Sequence, residues 1–101
     1  MGHLLTFVSG RFEATHVCAE SVAHPHIWFV DAWFELEPRT DVRPYQQALR
    51  DLLAGWNGSA LPADMEWHED IARVIGERLG CIAVEVSRDV DGLPFGVRWE
   101  A

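Results

Sequence analysis

The chain has 101 residues and a mass of 11.4 kDa, which is enough for one compact domain and too little for two. Its 16 Asp and Glu residues against 8 Lys and Arg residues give a net charge of −8, which argues against nucleic-acid binding because phosphates would be repelled. No apolar run approaches the roughly 20 residues that span a bilayer, and residues 1–10 lack a signal-peptide pattern. We therefore expect one cytoplasmic domain over residues 1–101, with no membrane association.

Two strands are predicted in the first third of the chain. Residues 3–9 and 11–17 are apolar and β-prone and meet at Gly10, a pattern that suits one bent strand or a tight hairpin; we favour one long strand with a bulge. Residues 27–36 form the clearest strand of the sequence and end before Pro38. This second strand is apolar on both faces: one carries Trp28, Val30, Ala32, Phe34 and Leu36, and the other carries Ile27, Phe29 and Trp33 together with Asp31 and Glu35.

Two helices are predicted next. Over residues 43–56, apolar side chains recur at steps of three and four, with Asp41 as a candidate cap and Pro44 in the first turn. A second helix is expected from a cap at Asp64 to Gly80, a residue type that commonly ends helices.

The last part of the chain predicts a β-hairpin over residues 82–99, with its turn at Asp91 and Gly92. The element order is therefore ββααββ, and we expect an α+β fold in which two helices cover one face of a four-stranded antiparallel sheet. Such a sheet keeps two open edges, and its second strand is apolar on both faces, so a partner subunit should cover these surfaces. The sequence thus predicts a homo-oligomer.

Histidines concentrate around the start of the second strand. His24 and His26 lie two residues apart and so project from the same face of a strand, and His16 could supply a third ligand from the end of the first strand. Three His ligands with a vacant fourth position are typical of a catalytic zinc site. A His-x-His pair also arises by coincidence on protein surfaces, so these residues alone leave both interpretations open.

This pattern resembles a known enzyme family. Phe12, two residues, a small residue and His16, followed by a short loop and a His-x-His pair that opens an aromatic strand, are similar to the 6-pyruvoyl-tetrahydropterin synthase and 6-carboxy-tetrahydropterin synthase family over nearly the whole chain. The resemblance implies the ββααββ tunnelling fold, whose subunits form a trimeric β-barrel or a hexamer with the active site at a subunit boundary. It also implies a zinc ion held by His16, His24 and His26.

The chain departs from the family at the catalytic base. Pro25 replaces the glycine between the two histidines, which a strand start accommodates. The family's catalytic cysteine lies four residues before the first histidine of the pair, where this chain has Glu20, and Cys18 lies two residues earlier. A carboxylate near a zinc-bound substrate can remove a proton as a thiolate can. The resemblance therefore favours Glu20 as the base over Cys18, with a merely solvated Glu20 as the alternative.

The substrate contacts also differ from the family pattern. Its Asp-His proton relay corresponds to a stretch around Asn57 that has neither group, so Asn57 is only a candidate substrate contact. Arg88 stands where the family has a pterin-binding Glu, and an Arg cannot accept hydrogen bonds from a pterin. It could instead bind a carboxylate or phosphate, or it could pair with Asp89, Asp91 or another acid of this acidic chain.

The start of the second helix holds two more polar residues. Glu69 matches a Glu in the family's helix-start motif and is a candidate substrate contact, although it also suits the helix dipole. His68 could approach the metal pocket and replace the lost relay histidine, and we expect that it does not.

Two functions follow from these observations. The first is a zinc-dependent enzyme of lyase or cyclase type, in which the metal polarises a carbonyl or hydroxyl of a small molecule other than a pterin and Glu20 or Cys18 removes a proton. The second is a non-catalytic or binding member of the same fold that keeps the metal site. The presence of His16, His24 and His26 together favours the first.

Overall fold

The computed structural model describes residues 4–16, 24–65, 67–90 and 92–101, and for residues 16, 24, 25, 63 and 90 it describes the backbone only. The first half of the fold contains the strands β1 (Thr6–His16) and β2 (His24–Phe34) and the helix α1 (Arg43–Ala54). The second half contains the short strand β3 (Ser59–Ala60), a 3₁₀ turn (Ala63–Met65), the helix α2 (His68–Leu79), and the strands β4 (Ala83–Val90) and β5 (Leu93–Glu100).

The strands form one five-stranded sheet in the order β3-β1-β2-β4-β5. The four long strands pair antiparallel, and β3 runs parallel to β1 through the pairs Ala14↔Ser59 and Thr15↔Ala60. The α+β class and the order of the long elements are confirmed. The expected four-stranded antiparallel sheet is corrected, because the chain that leaves α1 runs along β1 and adds a fifth, parallel strand.

Strand β1 is one long strand, as expected, but it has no bulge. Its register with β2 is continuous from Thr6↔Phe34 to His16↔His24. The glycine in the middle serves helix packing instead: a Cβ at Gly10 would lie 2.7 Å from Leu53 Cδ1 and 3.5 Å from Leu49 Cδ2. The missing side chain therefore lets α1 approach the sheet closely.

Helix α1 begins where the sequence predicts. Pro44 lies in its first turn. The expected cap at Asp41 is corrected, because the N-cap residue is Val42, which makes no side-chain capping bond. The Asp41 carboxylate instead accepts a hydrogen bond of 3.0 Å from the Arg43 backbone N–H. Each of the two helices has 12 residues, and within the described ranges neither is long and apolar enough to cross a membrane.

Helix α2 begins later than expected. Asp64 lies in the separate 3₁₀ turn and does not cap α2, whose first residue is His68 and whose N-cap residue, Trp67, makes no side-chain capping bond. The helix ends as expected at Gly80, which adopts the left-handed conformation with φ of 68°.

Both helices pack on one face of the sheet, as predicted. Helix α1 contacts β1, and α2 contacts β4 and β5. The side chains between the layers form the core, and the largest that are fully buried are Phe12, Trp28, Val30, Leu49, Ile71, Ile75, Val84 and Val86. This face of β2 therefore supplies the centre of the core.

The opposite face of the sheet carries exposed apolar side chains. Phe7 is 54% exposed, Ile27 48% and Phe29 39%. Trp33 lies between Phe7, at a ring distance of 4.9 Å, and Arg98, whose Cζ is 5.4 Å from the indole. The prediction that β2 is apolar on both faces is confirmed.

The two sheet edges differ from each other. On the β1 side, Gln46 Nε2 donates to the Ser9 carbonyl at 2.6 Å, Asn57 Oδ1 accepts from the Glu13 N–H at 2.9 Å, and the Leu61 N–H donates to the Thr15 carbonyl at 2.8 Å. On the other side, β5 has no further strand beside it among the described residues. The expectation of two open edges is thus corrected: the β1 edge is partly covered by its own chain.

Candidate functional site

The three predicted metal ligands occupy one corner of the sheet, which we call the histidine corner (His16, His24 and His26). His16 and His24 are directly opposite each other in the β1–β2 register, and His26 is opposite Ala14. Opposed residues of an antiparallel pair share a face, and so do residues two apart on a strand. The backbone therefore places all three positions on the face that packs against the helices.

His26 is the member of the histidine corner whose side chain the structure describes. Its half-buried ring meets the fully buried ring of Trp28 edge to face, with centroids 5.9 Å apart. The ring of His68, at the start of α2, lies 4.9 Å from the same indole. Both imidazoles thus pack on Trp28, but the side chains of His16 and His24 lie outside the described part of the chain, so the expectation that His68 does not approach the metal pocket stays a prediction.

Arg88 lies on the same face as Trp28, one strand further along the sheet. Its Cζ is 5.6 Å from the Trp28 ring centroid and 5.2 Å from that of Phe95, which is its register partner on β5. The His68 ring is also 5.5 Å from Phe95. We call these four residues the Arg88 cluster (Trp28, His68, Arg88 and Phe95).

The guanidinium of Arg88 lacks an acid partner among the described residues. Its Nε and Nη1 atoms are buried and have no hydrogen-bond acceptor there. It makes no ion pair there with Asp89 or with another acid, and Asp91, the other named partner, lies outside the described residues. The aromatic faces stabilise the cation by about 0.5 to 2 kcal/mol per ring, but they leave the in-plane N–H groups without acceptors.

Other arginines of this acidic chain do find carboxylates. Arg43 pairs with Asp41 at 3.0 Å, Arg73 with Glu77 at 3.4 Å, and Arg98 with both Glu85 and Glu100 at 3.0 Å. These pairs are at the surface and contribute little to stability. Arg88 differs from these three arginines in lying over two aromatic rings and in having no carboxylate partner among the described residues.

Asn57 lies in a different part of the molecule. Its Oδ1 accepts from the Glu13 N–H, and it lines a cleft of about 510 Å³ that also includes Arg11 and Arg50. Arg88 is two strands away, on the far side of β2, which corresponds to roughly 10 Å in the plane of the sheet. The structure therefore does not bring these two predicted substrate contacts together.

The remaining predicted site residues have separate outcomes. Glu69 is exposed in the first turn of α2, beside His68, where its charge suits the helix dipole. Glu20 and Cys18 lie outside the described residues, so the choice of base stays a prediction. Cys81 is buried, and burial raises the pKa of its thiol to about 11, which makes it a poor nucleophile.

The zinc site also stays a prediction. Among the described side chains, no group of three His, Cys, Asp or Glu residues could hold a metal ion. Two of the three predicted ligands, His16 and His24, are described by their backbone alone. Their opposed register is the structural feature that suits a shared ion, since imidazole nitrogens are ligands that zinc prefers.

The sequence carried one signal for the Arg88 cluster that its interpretation missed. The two-residue turn that the sequence predicts at Asp91 and Gly92 would pair Val90 with Leu93 and Arg88 with Phe95, and this is the register of the hairpin. The approach of His68 depends instead on how α2 packs against the sheet, which no local pattern encodes.

The architecture is consistent with the tunnelling fold that the resemblance implies: it has a sheet of long antiparallel strands, with two helices inserted in the chain between β2 and β4 and packed on one face. No family model matches the chain, and no curated protein matches it. Among solved structures, the chain is similar to the archaeosine synthase QueF-like in the apo form, with a TM-score of 0.55 and 10% sequence identity, over 96% of this chain and 92% of that one. At this identity the likeness concerns the fold alone, and it supports the tunnelling fold.

Proposed function

We propose that the protein is a zinc-dependent enzyme of lyase or cyclase type that acts on a small molecule other than a pterin. The observation that carries this proposal is the histidine corner, where His16 and His24 are opposed and His26 shares their face. The distant likeness to an archaeosine synthase supports the idea that this fold carries an enzyme. A cytoplasmic location is part of the same proposal.

The three histidines would hold the metal, and their position explains why they suit it. Zinc with an open coordination position polarises a carbonyl or hydroxyl and so acidifies a neighbouring C–H group. The half-buried His26 packs against Trp28, which fixes one edge of its ring and limits the access of water from that side. Zinc binds neutral imidazole, so zinc binding competes with protonation and weakens as the pH falls.

The proton acceptor of the reaction belongs to residues 17–23, between β1 and β2. Glu20 holds the spacing of the family's catalytic residue, and Cys18 is the alternative. Since β1 ends and β2 begins at the opposed pair His16 and His24, this connection leaves from and returns to the histidine corner. A group in it is therefore close in the chain to the proposed metal ligands.

The proposal includes a homo-oligomer, a trimer or a hexamer, with the site at a subunit interface. It is supported by the exposed apolar side chains Phe7, Ile27 and Phe29 and by the unpaired edge of β5. Sedimentation velocity at micromolar concentration tests it, and a stable monomer would contradict it.

Metal analysis of the purified protein tests the zinc proposal. We expect about one zinc ion per chain, lost in His24→Ala and in His26→Ala. His68→Asn is the matched control and should retain the metal, because His68 lies on α2 and is not among the proposed ligands. A folded wild type that binds no zinc would contradict the enzyme proposal and favour a binding protein of the same fold.

A further inference from the structure

We propose that the Arg88 cluster is a carboxylate-binding site and that the substrate of the proposed enzyme is a small monoanionic carboxylic acid. The statement that this acid is the substrate rests on the proposed function. The carboxylate-binding site itself is inferred from the geometry around Arg88. The structure shows what the sequence does not, namely that Arg88 lies between two aromatic rings and near an imidazole.

The guanidinium of Arg88 has hydrogen-bonding capacity that the described residues do not use. Nε and Nη1 are buried without acceptors among the described residues, and a buried donor without an acceptor commonly indicates a missing ion, water or ligand. Nη2 is not among these buried groups, and the residue as a whole is only half-buried. Both forked edges of a guanidinium include Nη2, so an anion that arrives at this atom can extend to Nε or to Nη1.

Two aromatic rings fix the orientation of the Arg88 guanidinium. Trp28 and Phe95 lie 5.6 Å and 5.2 Å from Cζ, and they belong to the strands on either side of Arg88. Rings at these distances restrict the guanidinium without neutralising it. Within the described part of the chain, aromatic rings and not an acid hold this cation in place, so it is prepared to receive an external carboxylate.

The guanidinium lies near the His68 imidazole and near the histidine corner. The His68 ring packs on the same two aromatic rings as Arg88, at 4.9 Å and 5.5 Å, so that an imidazole ring also borders the cluster. The cluster also lies beside the histidine corner, since Trp28 contacts His26. An anion bound at Arg88 would therefore place the rest of a small molecule near the proposed metal ligands.

The charge of the chain favours a carboxylate over a phosphate. The net charge is −8, and a dianion is repelled by this field more strongly than a monoanion of the same size. A flat carboxylate also matches one forked edge of a guanidinium in a slot between aromatic residues.

Titration of the chelator-treated, metal-free protein with sodium benzoate at constant ionic strength tests the proposal. The chain has five Trp residues, so the indole N–H signals in an NMR spectrum are few, and that of Trp28 reports on the cluster. We expect this signal and the Arg88 Nε–H signal to shift with saturation. In Arg88→Lys, which keeps the charge but loses the fork, benzoate should bind about tenfold more weakly.

Arg98→Lys is the matched control. Arg98 also lies over a tryptophan, on the neighbouring strand, but its acceptors are Glu85 and Glu100. We expect its substitution to leave benzoate affinity within about twofold of wild type, since these carboxylates already occupy its fork. If Arg88→Lys fails to fold, the saturable shift of the Arg88 Nε–H signal in wild type decides the question.

Three results would overturn the inference. The first is the absence of a saturable shift. The second is an equal shift of all arginine signals, which would indicate an adventitious ion only. The third is an unchanged benzoate affinity in a folded Arg88→Lys variant. Tighter binding of inorganic phosphate than of benzoate would overturn the assignment to a carboxylate. Because the titration uses metal-free protein, failure of the zinc proposal would leave its result unaffected. Failure of the carboxylate proposal would likewise leave the metal analysis unaffected.

Discussion

Replacing Asn57 with Ala should destabilise the protein without affecting the Arg88 cluster. The side chain supplies the acceptor for the Glu13 N–H at 2.9 Å and so ties the end of α1 to the edge of β1. A net hydrogen bond contributes about 0.5 to 1.5 kcal/mol, and this one is exposed, so water replaces part of what is lost. We therefore expect a loss of about 1 kcal/mol, equivalent to a fall of roughly 4 to 8 °C in Tm for a domain of this size.

Thermal unfolding followed by circular dichroism measures this loss, with Asn57→Asp as the matched control. The aspartate keeps an oxygen in the same position, so its Tm should stay closer to wild type than that of the alanine variant. The predicted alternative is that Asn57 contacts the substrate. An alanine variant with unchanged Tm, or an aspartate variant as unstable as the alanine one, would refute the structural role.

Three further outcomes are expected. Gly96→Ala should cost about 1 to 3 kcal/mol or more in urea unfolding, because its Cβ would lie 2.7 Å from Ser87 Cα, whereas Gly55→Ala, with its nearest atom at 3.4 Å, should be close to neutral. Leu49→Ala should cost about 2 to 5 kcal/mol in the same assay, since Leu49 is fully buried. Because the pKa of Cys81 is raised from 9.0 to about 11, iodoacetamide at pH 8 should label it roughly 100-fold more slowly in folded than in urea-unfolded protein. The neutral thiol is favoured in the folded state, so its contribution to stability is complete below pH 9 and is lost as the pH rises towards 11. Equal labelling rates in the two states would contradict this.

The order of the long elements was predictable because each has enough residues to show its periodicity. Strands β1 and β2 have 11 residues each and the helices have 12. The two residues of β3 and the three of the 3₁₀ turn are too short for an alternation to appear. The prediction of a bulge at Gly10 was wrong because the need for a glycine arises outside the strand, from the side chains of α1 that pack over it.

The candidate site was predictable in its residues more than in its arrangement. His24 and His26 share a face by strand geometry alone, and the pairing of Arg88 with Phe95 follows from a two-residue turn. The sequence could not show that His68 and Arg88 meet the same rings, since this depends on the packing of α2 against the sheet. It also could not show that the Asn57 side chain accepts a hydrogen bond from the backbone at the edge of β1.

The position of the helices within the strand order has a consequence for how the chain folds. Each long hairpin, β1–β2 and β4–β5, pairs residues that are near in sequence, but Trp33 on β2 pairs with Ala83 on β4, which is 83 − 33 = 50 residues later. Closing a loop of that length costs about 3.5 kcal/mol of chain entropy beyond a constant term. We expect the hairpins to form early and their joining to limit the folding rate. Truncations in the β2–β4 contact, such as Val86→Ala, should then slow folding, whereas truncations at the far end of a hairpin should mainly speed unfolding.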